Sequence, residues 1–506
     1  MVLANDITKM RSKQGEKKLK TKPNSIKGGL IWSFGERITA QLVTTVVSIV
    51  LARLLDPEHY GIVAIVIIFI NLCNVFVTSG FGNAIVQQQK ASSIDFNTAF
   101  ALSMTISLLL YFLLFLVSPL IERYYAMDDL AIVLRVMALR LPLAALNSIQ
   151  QAYIQRQMAF KSFFIATLFG TVVSGIVGVL LAFHGYGVWA LVAQYLTNTT
   201  VDTIALWFIC GWKPRFQYSR TSAKRIVSFG WRLLASELVA TLEGDIRTLI
   251  VGKVFGSSDL AYYEEGKKYP GLVVTNINAA ISKVMLPAYS KQQENLLELK
   301  NTLRKTIRLG VYILAPVMVG FMVVSNGFVS IILTEKWILA VPYIRIFCIC
   351  YFTRPLETSC RQAILGIGKS DIIFRIMLIV NIFALSTVII AVFAFKSVFL
   401  IAIGSLLTTV LSVVCYGYYA NRLLGYRIKE QIGDIAQTFM MCAFMGICVK
   451  CVELIGCTTM MTLIIQILVG IFVYVLLSKT TKNDSFNYLL NIIKKIVHKD
   501  SQLSNM

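Results

Sequence analysis

Apolar stretches long enough to cross a lipid bilayer, separated by short polar connections, nearly fill this chain and dictate what it can fold into. A helix rises 1.5 Å per residue, so about 20 apolar residues span the hydrocarbon. Windows of that kind fall at 29–53, 61–86, 97–121, 130–154, 162–183, 187–210, 226–254, 270–289, 309–332, 338–360, 372–395, 398–419, 435–455 and 459–478. The expectation is an all-α, polytopic membrane protein with about fourteen transmembrane helices. Composition agrees: 57% of the 506 residues are hydrophobic and 15% are charged, with a mean hydropathy of +0.70, far more apolar than a soluble domain. No connection is long enough for a folded extramembrane domain. The Lys-rich start, Lys9 through Lys27, resembles the basic part of a signal peptide. The segment after it contains Glu36 and Arg37 and lacks an A-x-A site, so it reads as an uncleaved first span.

The net charge is +22, but the charges are dealt out between spans, not gathered on a soluble nucleic-acid-binding unit. Basic residues crowd the N-terminal tail (1–28), the 6–7 connection (Lys213, Arg215, Arg220, Lys224, Arg225), the 8–9 connection (Lys291, Lys300, Arg304, Lys305, Arg308), the 12–13 connection (Arg422, Arg427, Lys429) and the C-terminal tail (481–506). Alternate connections, "LLDPEHYG" and "AFHGYGVW" among them, are poor in Lys and Arg. The positive-inside rule then puts both termini in the cytoplasm, which requires an even number of spans. Cys448 and Cys451 form a C-x-x-C with no second pair and no thioredoxin-like context. Nothing in the pattern calls for a metal or other cofactor, and no nucleophile–base constellation stands at one membrane depth.

Two stretches repeat. The first span opens "SFGERITAQL" at Ser33 and the seventh "SFGWRLLASE" at Ser228, each leading to a basic position, Arg53 or Lys253, and then a turn. An offset of six spans preserves orientation, which predicts two parallel-related six-helix lobes, 29–211 and 212–425, with two further helices at 426–480. Facing follows from the 100° advance per residue. Ser33, Arg37, Gln41, Thr44 and Ser48 form one stripe, and Asn71, Asn74, Thr78 and Gly82 a second. In the seventh span Arg232, Ser236, Glu243 and Arg247 share an arc beside Glu237, Thr241, Asp245 and Thr248, and in the eighth Thr275, Asn278 and Ser282 align next to Lys283. Charges in hydrocarbon cost about 2.5–3.5 kcal/mol each on insertion scales, so these arcs are expected to face a polar cleft between the lobes. Hydrogen bonding to neighbouring helices, or a Glu243–Arg247 ion pair at i,i+4, is the structural alternative.

The runs "GFGNAIVQ" (80–87), "GYGVWALVAQ" (185–194) and "GDIRTLIVGKVFGSSDLAYYEEGKKYPGLVVTNINAAISKVMLPAYSKQQ" (244–293) resemble the polysaccharide-transporter branch of the multidrug/oligosaccharidyl-lipid/polysaccharide exporter superfamily, the Wzx-type flippases. The resemblance covers about Leu30 to Gly425 and implies a bacterial cytoplasmic-membrane protein whose helices 1, 2, 7 and 8 line a central cavity. It also implies translocation of undecaprenyl-pyrophosphate-linked oligosaccharides to the outer leaflet for export of lipopolysaccharide O-antigen, capsule or exopolysaccharide. A polysaccharide polymerase and other export components are implied partners. The substrate-binding residues expected are Arg37, Gln41, Asn71, Asn74, Thr78, Arg232, Glu243, Asp245, Arg247, Asn278 and Lys283, with Arg for the anionic headgroup and hydroxyls and amides for sugars. Where the family pattern has an Asn-Arg pair after a double aromatic, this chain has Glu264 and Glu265 after Tyr262 and Tyr263. The rival readings are a cation-coupled drug exporter of the same superfamily and a membrane enzyme of polysaccharide assembly. The first favours about twelve spans and an acidic, aromatic cavity; the second needs a large outer loop carrying catalytic residues.

Overall fold

The computed structural model describes residues 26–78, 82, 85, 91–156, 160–215, 217–491 and 494. Side chains are described at these positions except 26–38, 155, 160–163, 229, 232, 233, 240, 280 and 283. The described residues hold helices and no strand. In chain order the rods are α1 (Ile26–Leu54), α2 (Pro57–Thr78), α3 (Ser93–Tyr125), α4 in two pieces (Leu130–Met137 and Arg140–Arg156), α5 (Phe160–Phe183), α6 (Val188–Ile209), α7 (Arg220–Phe255) and α8 (Ser257–Lys291). They continue with α9 (Leu296–Phe328, ending in the wider turn Val329–Leu333), α10 in three pieces (Glu335–Ala340, Val341–Phe352 and Arg354–Gly366), α11 (Ser370–Phe393), α12 (Val398–Leu424), α13 (Ile428–Cys451) and α14 (Thr459–Thr480). Over the described residues, eleven of these rods are long and apolar enough to cross a membrane, and Thr39–Leu54 of α1 is a shorter apolar stretch. Rows of large apolar side chains stand exposed on the outer helices, among them Leu116, Phe208 and Phe393, as lipid contact requires.

Helix boundaries depart from the sequence expectation at three places. α7 starts at Arg220, where the Ser219 side chain accepts from the Ser222 N–H and caps the helix. α8 starts at Ser257, thirteen residues before the expected 270, so "YYEEGKK" is helix and not connection. Its charges are matched at i,i+3: Lys267 pairs with Glu264 at 3.8 Å and Lys268 with Glu265 at 2.6 Å, which removes the charge cost that made the stretch read as extramembrane. α10 is broken because Pro342 and Pro355 each sit in the first turn of a piece.

Packing brings α5 tightly onto α1 and α6, and α2 onto α7 and α8. The α1–α2 and α7–α8 connections meet at one end, where a Cβ on Gly61 would lie 1.9 Å from the Ser257 carbonyl oxygen, so no side chain fits there. At that end the Trp337 indole N–H donates to the Ala52 carbonyl at 2.7 Å, with both residues wholly buried. The Tyr60 and Tyr262 rings stand edge-on to the indole at 5.2 and 6.0 Å, and Lys336 pairs with Asp56 at 2.9 Å. At the opposite end the connection into α7 is tied to α3: Arg225 pairs with buried Asp95 at 2.7 Å, and the backbone N–H groups of Arg215 and Ser219 donate to the Asn97 and Thr98 side chains. α13 and α14 dock on α9. Asp434 accepts from Arg304, Arg308 and Tyr426, and Tyr312 donates to Ser478 while Tyr474 donates to the Tyr312 carbonyl.

Candidate functional site

Two adjoining cavities meet at α8. The larger, about 640 Å³, is walled by α7, α8, α10, α11 and α12, and the smaller, about 320 Å³, lies between α1 and α8. Lys267 and Tyr351 line both. The larger cavity holds three cationic side chains, Arg247, Lys267 and Arg354, and two acidic ones, Glu243 and Glu357, among hydroxyls and the Asn381 amide. Arg354 is paired with Glu357 at 3.0 Å, and both sit at the Pro355 break of α10, which sets this pair in the cavity wall. Lys267 shares Glu264 with Thr248, whose hydroxyl donates to that carboxylate at 2.6 Å. Among the described residues Arg247 has no carboxylate partner: it donates to the Thr408 hydroxyl at 3.2 Å, and no Glu243–Arg247 ion pair forms. A guanidinium facing a polar cavity without a counterion is an anion seat.

Of the residues expected from sequence, Glu243 and Arg247 line the larger cavity and Gln41 the smaller. Asp245 is half-buried within electrostatic reach of Lys267. Asn71, Asn74, Thr78 and Asn278 are not among the residues lining these two cavities. Asn71 is exposed, and the Asn74 and Asn278 Oδ1 atoms are buried without a donor. Thr78 bonds the Asn74 carbonyl, the ordinary i−4 bond of a helical hydroxyl. On α8 it is Gly271, Thr275 and Asn276 that reach the smaller cavity. The side chains of Arg37, Arg232 and Lys283 lie outside the described residues.

Sequence reasoning missed Lys267, Lys268, Arg354, Glu357 and Asn381. Two signals were present: the doubled Glu/Lys spacing of "EEGKK", and an Arg and a Glu flanking Pro355 inside the 338–360 window. Lys268 reaches across to α1, donating to the Ser48 hydroxyl at 2.6 Å. Among the described residues no group of three His, Cys, Asp or Glu could hold a metal ion, and Cys448 and Cys451 are free thiols at the end of α13.

The described residues thus form a multi-pass bundle of long apolar helices that enclose charged cavities. Residues 50–342 match the family model described as polysaccharide biosynthesis protein, more than half of the chain, and the chain belongs to that family. Its relatives include the teichuronic acid biosynthesis protein TuaB of Bacillus subtilis (25% identical, covering 74% of this chain and 77% of that one). The lipopolysaccharide biosynthesis protein WzxC of Escherichia coli is 23% identical over 64% of this chain and 67% of its own. Among solved structures the fold is shared with the lipid II flippase MurJ in an inward closed conformation, at a TM-score of 0.69 and 16% identity, covering 90% of this chain and 99% of that one.

Proposed function

We propose that this protein is a flippase, not an enzyme, that carries polyprenyl-diphosphate-linked oligosaccharides from the cytoplasmic to the outer leaflet of a bacterial cytoplasmic membrane. The observation that carries the reading is the counterion-free Arg247 in a polar cavity that adjoins the α1–α8 cleft, in a member of a polysaccharide biosynthesis family. A diphosphate is heavily hydrated, and crossing hydrocarbon requires replacement partners. Arg247 and the Lys267 and Arg354 beside it supply charge-assisted donors. Ser405, Thr408, Asn381 and Gln41 supply partners for sugar hydroxyls. The lipid tail stays in the bilayer at the edge of the cleft.

In this reading α1–α6 and α7–α12 are two lobes, all fourteen rods cross the membrane, and both termini are cytoplasmic. The contacts around Trp337 then close the outer end, and the cycle rocks one lobe on the other to open it. Export components such as a polysaccharide polymerase are the partners this role implies. The test replaces Arg247 and Arg354 singly by Lys and by Gln and measures polysaccharide export at matched protein levels. Bidentate anion recognition predicts loss with Gln and partial loss with Lys. Normal export in all four variants overturns this assignment of the headgroup seat.

A further inference from the structure

The two cavities that meet at α8 differ in charge. In the larger, Arg247, Lys267 and Arg354 outnumber Glu243 and Glu357. In the smaller, Lys268 is bonded to Glu265 at 2.6 Å and Lys267 stands 3.8 Å from Glu264, so the charges cancel. An excess of cations suits a diphosphate; a balanced space lined by hydrogen-bonding groups suits a ligand that is polar and uncharged.

The groups left over in the smaller cavity are those a sugar requires. Neither the Gln41 amide on α1 nor the Tyr351 hydroxyl on α10 makes a hydrogen bond among the described residues. Glu264 gives one carboxylate oxygen to Thr248 and Lys267, and its Oε2 has no partner among the described residues. Asn276 donates its Nδ2 to the Leu272 carbonyl at 3.0 Å and keeps its Oδ1. Donors and acceptors thus converge from α1, α8 and α10 on a space of about 320 Å³. An aromatic ring bounds it. Tyr351 lies beside Phe347 with ring centroids 6.0 Å apart, and its ring edge passes over Gly271, 3.8 Å from where a Cβ would stand. Arg354, in the larger cavity, has its guanidinium 5.9 Å from the centre of the same ring. Tyr351 therefore stands between the cationic cavity and the balanced one, with ring carbons for the C–H face of a pyranose and a hydroxyl for its rim.

We propose that the smaller cavity binds the sugar joined directly to the diphosphate, that this sugar is uncharged, and that Tyr351, Gln41 and Glu264 make its presence a condition of transport. With the diphosphate on Arg247, Lys267 and Arg354, the next group along the substrate passes Tyr351 into the α1–α8 space. There it stacks on the ring, accepts from the Gln41 amide and donates a hydroxyl to the free Glu264 oxygen. Gln41 belongs to the first lobe of the transport cycle, and Glu264 and Tyr351 belong to the second, so the sugar bridges the lobes. A bare polyprenyl diphosphate fills the cationic cavity and bridges nothing. A uronic acid sets its carboxylate against Glu264.

The site rests on the flippase reading for its diphosphate, and the measurements keep the two apart. Binding to the purified full-length protein is compared for farnesyl diphosphate and for farnesyl diphosphate carrying one hexose, one N-acetylhexosamine or one hexuronic acid. An uncharged sugar should tighten binding about tenfold or more, as a site built to hydrogen-bond its ligand does, and the hexuronic acid should not. Gln41→Leu and Tyr351→Leu should each erode this preference while the Kd for bare farnesyl diphosphate stays unchanged; Tyr351→Phe should keep the part due to the ring. Arg247→Gln should weaken all four ligands. Equal binding of bare and sugar-bearing ligands by the native protein, a preference that survives both Leu variants, or Leu variants that lose bare farnesyl diphosphate as well, overturns the sugar site and leaves the diphosphate seat standing. Unchanged binding in Arg247→Gln refutes the seat, and binding of no ligand refutes both. In proteoliposomes a bare polyprenyl diphosphate should reach a phosphatase added outside no faster than in protein-free vesicles, while the sugar-linked lipid crosses. Equal crossing of the two overturns the condition on transport.

Discussion

Trp337→Phe should loosen the closed end of the molecule by an amount that follows from one hydrogen bond. Ala52 lies in the last turn of α1, where carbonyls lack an intrahelical donor, and the Trp337 indole supplies that donor at 2.7 Å in a fully buried setting. Phenylalanine keeps a ring against Tyr60 and Tyr262 but deletes the N–H. Leaving a buried carbonyl unpaired costs about 1–3 kcal/mol. In the proposed cycle the contact exists only while this end is closed, so the cost falls on the closed state and shifts the closed–open equilibrium roughly 5- to 150-fold. Trp337→Ala also removes two edge-on ring contacts, each worth about 0.5–1.5 kcal/mol, and should shift it further. A cysteine placed at Asn381, which lines the larger cavity and is partly exposed, reports the shift. In a chain with that cysteine as its sole one, an impermeant thiol reagent applied from the outer side should label both variants faster, in the order Ala, Phe, native. Equal labelling of all three at equal thermal stability refutes the latch.

Asp56→Asn tests the neighbouring Lys336 pair, whose two side chains are 64% and 46% exposed; such pairs contribute about 0–1 kcal/mol, so labelling of the cysteine at position 381 should change far less than with Trp337→Phe. The hydrogen bond from Lys336 holds the Asp56 carboxyl below its ordinary range, so this small contribution is complete above that range and lost as pH falls through the lowered value. Asp434→Asn leaves Arg304 and Arg308 without their shared carboxylate; breaking such a pair costs about 3 kcal/mol, and the melting temperature in detergent should fall with the α9–α13 contact. A cysteine at exposed Lys224 in a Cys-free chain should resist an impermeant reagent applied to intact cells, and efficient labelling would reverse the assigned orientation.

The fold was legible in the sequence because the bilayer imposes length and polarity on each helix, and the rods fall where the apolar windows predicted. The seventh helix was placed despite Glu243, Asp245 and Arg247, since their arc could be computed from spacing. What escaped were positions where charge is neutralised locally. "YYEEGKK" reads as polar connection until its Glu264–Lys267 and Glu265–Lys268 pairs are seen on a helix face. Arg354 and Glu357 stand near the end of the 338–360 window, and their place in the cavity wall shows only once Pro355 is seen to break α10. On the polar stripe of α2, Thr78 bonds the carbonyl of its own helix, and periodicity cannot tell such a residue from one facing a cleft.

The most direct test reconstitutes the purified protein in sealed vesicles with a polyprenyl-diphosphate oligosaccharide in both leaflets and follows its accessibility to a lectin or glycosidase added outside. A flippase makes the inner-leaflet pool accessible with time, while vesicles without protein, or with Arg247→Gln, keep it protected. Accessibility that stays at the protein-free level with folded native protein would contradict the account.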